Sequence, residues 1–281
     1  MESAAALARR MWTLFEPVHS VTYFSTEARA AFEEAGLLGF WRGYFAGRSA
    51  PLGRAKAAPV TASFYTFAPG MVGRALPAVW DMISPEDALA VRRAGAVAAM
   101  GRLLAGTDVG LAADLLATAV VGLDCPGRVL AAANAALDLP DEPAARLWQA
   151  ATLLREHRGD GHFATLVAAD VDGCEALVLQ AAKGIPRDLL QSIRGWTDEE
   201  WDAATARLAD RGLLTADGTA TEEGAAFSAE IEDRTDEAAA RPWQDYDTTA
   251  KLIDALTPIT VACAVDLPYP NPVGLRAGDI G

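Results

Sequence analysis

The chain has 281 residues, of which 51% are hydrophobic, and it carries a formal net charge of −14. This composition excludes an intrinsically disordered chain and predicts a sizeable core spread over about two domains. We expect no membrane span, because no long uninterrupted apolar segment occurs. Three scattered cysteines without a CxxC pair, and an N-terminus unlike a secretory signal, predict a reduced, cytoplasmic protein.

The charge is distributed unevenly along the chain. Residues 1–105 hold 11 Lys+Arg against 8 Asp+Glu, so the rest of the chain has a net charge of −17. A field that negative repels the phosphates of nucleic acids. The composition therefore disfavours nucleic-acid binding by the C-terminal part.

The first 158 residues predict a helical domain, since alanine and leucine are frequent and apolar residues recur at helical spacing. Pro17 interrupts the first helix, whereas Ser84, followed by Pro85 and Asp87, is a strong helix start. The Gly159-Asp160-Gly161 segment predicts a turn that separates this domain from the next. The predicted helices cover residues 4–21, 26–35, 39–45, 60–79 with a break at Pro69-Gly70, 84–104, 108–121, 127–137 and 144–158, followed by short helices at 163–169 and 174–183.

The pattern after Gly184 is more specific. It predicts a short helix over 185–193, a helix over 197–211 with Thr197 and Glu200 as a capping box, and a tight hairpin around Asp217-Gly218. A T-x-x-G motif at Thr221 then begins a long helix that ends near residue 240. This order resembles the winged helix of MarR-type regulators, in which L-x-x-RGL closes the recognition helix and LT-x-x-G begins the last helix.

The predicted organisation is mainly α. It comprises a helical domain in residues 1–158, thought to bind a ligand, and a winged helix-turn-helix domain with one small β-hairpin in residues 159–245. A C-terminal helix and a proline-rich arm, expected to lie over the body, make up residues 246–281.

The resemblance makes residues 197–211 the recognition helix, but this helix is acidic. It holds Asp198, Glu199, Glu200, Asp202 and Asp210 against Arg207 and Arg211. In a DNA reader, the start of this helix touches base edges and is flanked by cations that bind phosphate. Duplex DNA is therefore an allowed partner that the charge disfavours.

Most of the chain is similar to actinobacterial helix-turn-helix proteins described as SalK-like regulators. The resemblance implies a helical N-terminal part, a winged helix and a regulator-like function, and this functional label rests on fold analogy. The residues that carry it are Glu16-Pro17-Val18-His19, Tyr23-Phe24, the segment from Gly39 to Gly53, Trp148, the segment from Arg155 to His162, and Arg194-Gly195-Trp196.

Two groups of residues are candidates for a site. The first is the predicted turn with its two histidines, His157 and His162, to which His19 is added because it completes the chain's three histidines. The second mixes aromatic residues and arginines, a combination that suits a flat organic ligand with an anionic group. The candidate acid/base residues are His162, His157, His19 and Asp160, and the candidate ligand-binding residues are Tyr23, Trp41, Arg42, Tyr44, Arg48, Tyr65, Arg155, Arg158 and His162. A helix joint and an aromatic core with snorkelling arginines are the structural alternatives.

The sequence requires no cofactor. Two histidines five residues apart beside one aspartate lack a standard metal-ligand spacing, and no haem attachment motif occurs. The leading hypothesis is a ligand-responsive winged-helix protein that binds a small organic molecule and uses the winged helix for packing or for a homodimer. The alternatives are an enzyme of specialised metabolism with a histidine as acid/base, and a scaffold that binds a basic partner through its acidic half.

Overall fold

The computed structural model describes residues 3–280, which form fourteen α-helices and a few short 3₁₀ turns. The helices are α1 (Ala4–Phe24), α2 (Thr26–Glu34), α3 (Phe40–Ser49), α4 (Ala57–Phe64), α5 (Pro69–Gly73), α6 (Pro85–Leu103), α7 (Gly110–Val120), α8 (Val129–Ala135), α9 (Pro143–Ala168), α10 (Gly173–Ala182), α11 (Arg187–Arg194), α12 (Asp198–Asp210), α13 (Glu222–Ala238) and α14 (Tyr246–Cys263). The prediction of a mainly α fold is confirmed.

The helices enclose three apolar cores. The largest lies between α1, α6, α7, α9 and α14, and its members include Met11, Leu147 and Leu256. A second, aromatic core involves α3 to α5, and a third lies between the end of α9 and α10 to α13. Burial of these apolar faces is the main force that holds the helices together. Helix α9 contributes to the first and the third core. It therefore joins the body, which consists of α1 to α9 and α14, to α10 to α13, which we call the winged segment after the prediction made for this part of the chain.

The predicted helices of the winged segment are present. The Thr197–Glu200 capping box begins α12, and the apolar face of α12, formed by Trp201, Ala204 and Leu208, is buried. The Thr221 side chain accepts a hydrogen bond of 3.0 Å from the amide of Gly224. A Cβ atom at Gly224 would overlap the carbonyl oxygen of Leu213, which explains the glycine of the T-x-x-G motif.

The predicted β-hairpin is not formed. Within residues 3–280 there is no strand, and a single antiparallel bridge joins Leu214 to Ala220. The Thr215 amide donates to the Thr219 carbonyl at 2.9 Å, which closes the turn. The segment between α12 and α13 is too short to extend this pairing, because Thr221 already serves as the cap of α13. The wing is therefore a tight turn.

The predicted break at Gly159-Asp160-Gly161 is also wrong. Helix α9 runs without interruption through this segment, so the predicted short helix at 163–169 is its last part. A glycine inside a helix costs about 1 kcal/mol relative to alanine, but α1, α7, α8 and α13 all pack against α9 and hold it helical. Asp160 does not cap a following helix; its carboxylate accepts a hydrogen bond from the Ala131 amide of α8.

The two glycines of α9 are expected to respond in opposite ways to alanine. A Cβ atom at Gly159 meets nothing within 4 Å, so Gly159→Ala should stabilise the fold by about 0.5–1 kcal/mol. At Gly161 the Cβ would overlap the guanidinium of Arg128, which donates to the carbonyls of His157 and Ala238. Gly161→Ala should therefore destabilise by about 1–3 kcal/mol. Urea unfolding of both variants tests this, and shifts of the same sign would contradict it.

Helix α14 and the arm complete the body. The segment Tyr246–Asp266 is long and apolar enough to cross a membrane by length and composition alone. Leu252, Leu256 and Ile259 of this helix are buried and α14 packs against α1, while 39% of the apolar window as a whole is buried. The arm after α14 folds back over the body, as predicted, and buries Leu267 and Leu275. The division into three parts at 158 and 245 stays a prediction, and its first boundary falls inside α9.

Candidate functional site

A cavity of about 420 Å³ lies where the body, the winged segment and the arm meet. Helices α1, α3, α4 and α9 form the wall on the body side, and α10, α11 and α13 form the opposite wall. Residues 269–277 of the arm cover one side. The volume falls within the range of small-molecule sites.

The cavity is cationic although the protein is acidic. Its ionic lining consists of Arg9, Arg48, Arg155, Arg158, Lys183, Arg194 and Arg276 against Glu16 and Glu232. Its apolar lining includes Trp12, Phe64, Phe67, Phe163, Leu177 and Ile185. A concave site with aromatic walls and a net positive charge favours organic anions over neutral or cationic ligands.

At one end of the cavity, two lining arginines are held by the buried carboxylate of Glu156. Arg48 binds both of its oxygens at 3.0 Å, and Arg155 donates to it at 2.8 Å. Burial alone would raise the pKa of Glu156, but Arg155 and Arg48 hold it well below its usual range. Arg48 also stacks over the Phe64 ring at 4.1 Å. Glu156 is thus ionised and fixes both arginines.

Glu16 lies beside this group. It is buried, and it accepts hydrogen bonds of 3.2 Å from the Trp12 indole and the Ser20 hydroxyl. Its nearest cation is Arg155, at 3.9 Å. Burial raises the pKa of Glu16 above its ordinary value. Glu16 therefore neutralises Arg155 less effectively than Glu156 does.

Arg194, at the end of α11, lines the same cavity as Arg48 and Arg155 from the side of the winged segment. Its guanidinium stacks on the Phe67 ring at 4.4 Å, and its Nε is buried without a hydrogen-bond partner. No carboxylate of residues 3–280 pairs with it. Burial, with Arg48 and Arg155 nearby, lowers the pKa of Arg194 to about 10, so it is still charged at neutral pH.

The other end of the cavity is an ion-pair network between the body and α13. Arg9 contacts Asp236 and Glu232 at 2.7 Å each, and Arg158 contacts Asp236 at 2.9 Å and Glu232 at 3.3 Å. Lys183 lies 3.7 Å from Glu232 at the rim. These cations already have partners, in contrast to Arg194.

The start of α12 presents its acids to solvent. Asp198 and Asp202 are 79% and 67% exposed, and both contact Arg187 of the preceding helix. Arg207, on the same helix, pairs with Asp172 and Glu175. The exposed face at the start of α12 is therefore acidic, unlike the face of a helix that enters a DNA groove.

The sequence of the chain matches the family model described as "Helix-turn-helix family" over residues 8–268. The chain belongs to this helix-turn-helix family. No curated protein and no solved structure matches it significantly. The match covers the helices of the body and the winged segment, while the arm residues 269–277 that cover one side of the cavity lie outside it.

The three histidines of this helix-turn-helix protein do not share one space. His162 lines the cavity, and its Nδ1 lies 2.9 Å from the Thr235 hydroxyl. His157 faces away from the cavity, with Nε2 3.2 Å from the Asp124 carbonyl. His19 is fully buried beside Thr152 and outside the lining, and its Nε2 has no partner within residues 3–280. Burial lowers the pKa of His162 and of His157 to about 4, so both are neutral near pH 7.

The predicted ligand-binding residues separate into two groups. Arg48, Arg155, Arg158 and His162 line the cavity. The others lie outside it. Tyr23, Trp41 and Tyr44 pack with one another or with neighbouring aromatic rings. Tyr65 stacks on Phe163. Arg42 is exposed and donates a hydrogen bond to the Leu38 carbonyl.

Several lining residues were not predicted. Arg194, Arg9 and Lys183 are far from the aromatic segment in the sequence and reach the cavity through folding. The sequence signal for Arg194 was its place in the Arg194-Gly195-Trp196 group that carries the family resemblance. Within the described part of the chain, no three His, Cys, Asp or Glu side chains cluster as metal ligands.

Proposed function

We propose that this helix-turn-helix protein is a ligand-responsive, regulator-like protein of the cytoplasm that binds a small organic molecule in its cavity. The observation that carries the proposal is the cationic, aromatic cavity between the body and the winged segment. The order of α11, α12, the tight turn and α13 supports a MarR-like, SalK-like relationship.

Conventional DNA reading through α12 is not part of this proposal. The acids at the start of α12 are exposed, and residues 197–241 hold 13 Asp+Glu against 4 Lys+Arg. The electrostatic attraction between a protein and the phosphates of DNA comes from Lys and Arg, and this face supplies few of them. We propose instead that the winged segment forms one wall of the cavity and provides a surface for packing or for a homodimer.

Ligand binding in the cavity is testable with a blocked variant. Gly159 lines the cavity, whereas Gly101 is an exposed glycine of α6, and a Cβ at either position meets nothing within 4 Å. Thermal unfolding is measured with a panel of small organic acids, organic phosphates and neutral aromatic compounds. We expect at least one compound to raise the Tm of the wild type and of Gly101→Phe, but not of Gly159→Phe. A panel without such a compound would contradict the proposal.

A separate experiment tests the proposal that the protein does not bind duplex DNA through α12. Mobility of a mixed-sequence duplex is followed with the full chain at low salt, with and without a compound that the panel identifies. We expect no complex. A complex that weakens steeply as salt increases would show phosphate contacts and overturn the proposed role of the winged segment.

A further inference from the structure

The charges around Glu156 do not balance. Arg48, Arg155 and Arg194 come from three different helices and converge on one end of the cavity. Glu156 is ionised and satisfies Arg48 and Arg155, while Glu16 is a poor counter-ion because burial raises its pKa. Arg194 has no carboxylate partner among residues 3–280. A half-buried guanidinium without a counter-ion is costly unless a ligand supplies the missing anion.

Arg194 is held in place by the backbone around it. Its carbonyl accepts a hydrogen bond of 2.9 Å from the Ala68 amide, and the neighbouring Trp196 indole donates to the Thr66 carbonyl at 2.9 Å. The Phe67 ring lies against its guanidinium. The donors of Arg194 are therefore positioned before any ligand arrives, which lowers the entropic cost of binding.

The other side chains that line the cavity indicate the chemical character of the part of the ligand that Arg194 does not hold. Phe64 and Phe67 belong to the lining but are fully buried behind Arg48 and Arg194, whereas Phe163 and Ile185 of the same lining are partly exposed and offer apolar surface to a ligand. A guanidinium fork matches two oxygens of a carboxylate or a phosphate, while aromatic walls favour a flat apolar group.

We propose that the cavity binds an organic anion whose carboxylate or phosphate group is held by Arg194, with its apolar part against the partly exposed Phe163 and Ile185. This inference rests on the proposed function and adds the class of the ligand and the residue that recognises it. Arg48 and Arg155, fixed by Glu156, supply further positive charge behind the bound anion.

The experiment compares three probes of similar shape, namely benzoate, phenyl phosphate and benzamide, by calorimetric titration. We expect at least one of the two anions to bind at least about tenfold more tightly than benzamide, as expected of a charge-assisted hydrogen bond. Tighter binding of benzoate identifies a carboxylate as the preferred group, and tighter binding of phenyl phosphate identifies a phosphate.

Arg194→Gln is expected to weaken binding of the preferred anion at least about tenfold and to leave benzamide binding unchanged. Arg93→Gln is the matched control, because it removes the same charge from an exposed position of α6 outside the cavity and should leave binding unchanged. Arg194→Lys keeps the charge and loses the fork, so its affinity should be intermediate. Because Arg194 has no ionic partner within residues 3–280 and its burial is costly, Arg194→Gln should have a Tm equal to or higher than that of the wild type in the absence of ligand.

Anion binding that survives Arg194→Gln, or equal affinity for the anions and benzamide, would overturn this inference. Failure of both anions to bind would overturn it as well. The proposed function is judged separately, by the compound panel with Gly159→Phe. If only neutral compounds of that panel bind in the cavity, the proposed function stands and the anion site is excluded. If none binds, the proposed function itself fails.

Discussion

Glu156→Gln is expected to destabilise the protein by about 3–5 kcal/mol, because removal of one partner of a buried ion pair leaves its other members as uncompensated charges. Within residues 3–280, Arg48, which is 2% exposed, would lose its only carboxylate partner, and Arg155 would retain only Glu16 at 3.9 Å. Glutamine has nearly the same size as glutamate, so the loss would come from charge rather than from a cavity. Urea unfolding at pH 7 measures the effect.

Two further variants show whether charge is the cause. Glu230→Gln breaks an exposed ion pair with Arg234 on α13 and should cost less than about 1 kcal/mol. In the background of Arg48→Met, the same Glu156→Gln change should cost less than it does in the wild type, because one of the two stranded arginines is gone. Equal costs in the two backgrounds would refute the assignment of Glu156 as the counter-ion of Arg48.

Acid is expected to destabilise the fold through His157 between pH 6.5 and about 4. Burial, with Arg128 nearby, lowers the pKa of His157 from 6.5 to about 4. The unfolded chain therefore binds a proton in this range before the folded chain does. Stability is retained above pH 6.5 and is lost as the pH falls towards 4, by an amount on the order of 3 kcal/mol for this one group. Urea unfolding between pH 7 and 4 should show the decline, and His157→Gln should make it smaller.

Asp160 provides a control, because its contribution to stability changes with pH in the opposite direction to that of His157. Burial raises its pKa from 3.8 to about 6, so it stabilises the fold at low pH, and this contribution is lost as the pH rises through 6. Asp160→Asn should therefore steepen the decline that occurs on acidification. A His157→Gln variant with the wild-type pH dependence would show that His157 does not titrate as its buried position requires.

The local signals in the sequence were accurate where the structure depends on nearby residues. The capping box of α12 forms between positions three residues apart, and the T-x-x-G motif reflects contact between Gly224 and a backbone only 11 positions earlier. The Gly159-Asp160-Gly161 segment was wrongly predicted as a turn, because its structure depends on contacts with other helices rather than on nearby residues. Helices from distant parts of the chain surround α9 there and outweigh the weak local preference of glycine.

The candidate site was predicted only in part. The excess of arginine and aromatic residues in one part of the chain drew attention to Arg48, and the polar segment of α9 did the same for Arg155 and Arg158, and all three line the cavity. Sequence proximity also suggested that the aromatic residues around Tyr44 faced a ligand, but they pack mainly on one another. A periodic aromatic pattern has the same form in a core and in a pocket, so composition alone cannot separate the two.

The sequence by itself determined the helical class, the cap, turn and glycine positions of the winged segment, and the acidity of helix α12. These properties follow from local backbone preferences and from charges that are present whatever the fold. Only the tertiary structure decided that α9 is continuous, that the three histidines lie apart, and that Arg194 lines the same cavity as Arg48 and Arg155 without a carboxylate partner among residues 3–280. Those outcomes depend on contacts between different helices, such as Arg128 with His157, 29 positions apart, and Arg48 with Glu156, 108 positions apart, and on the burial that such contacts create.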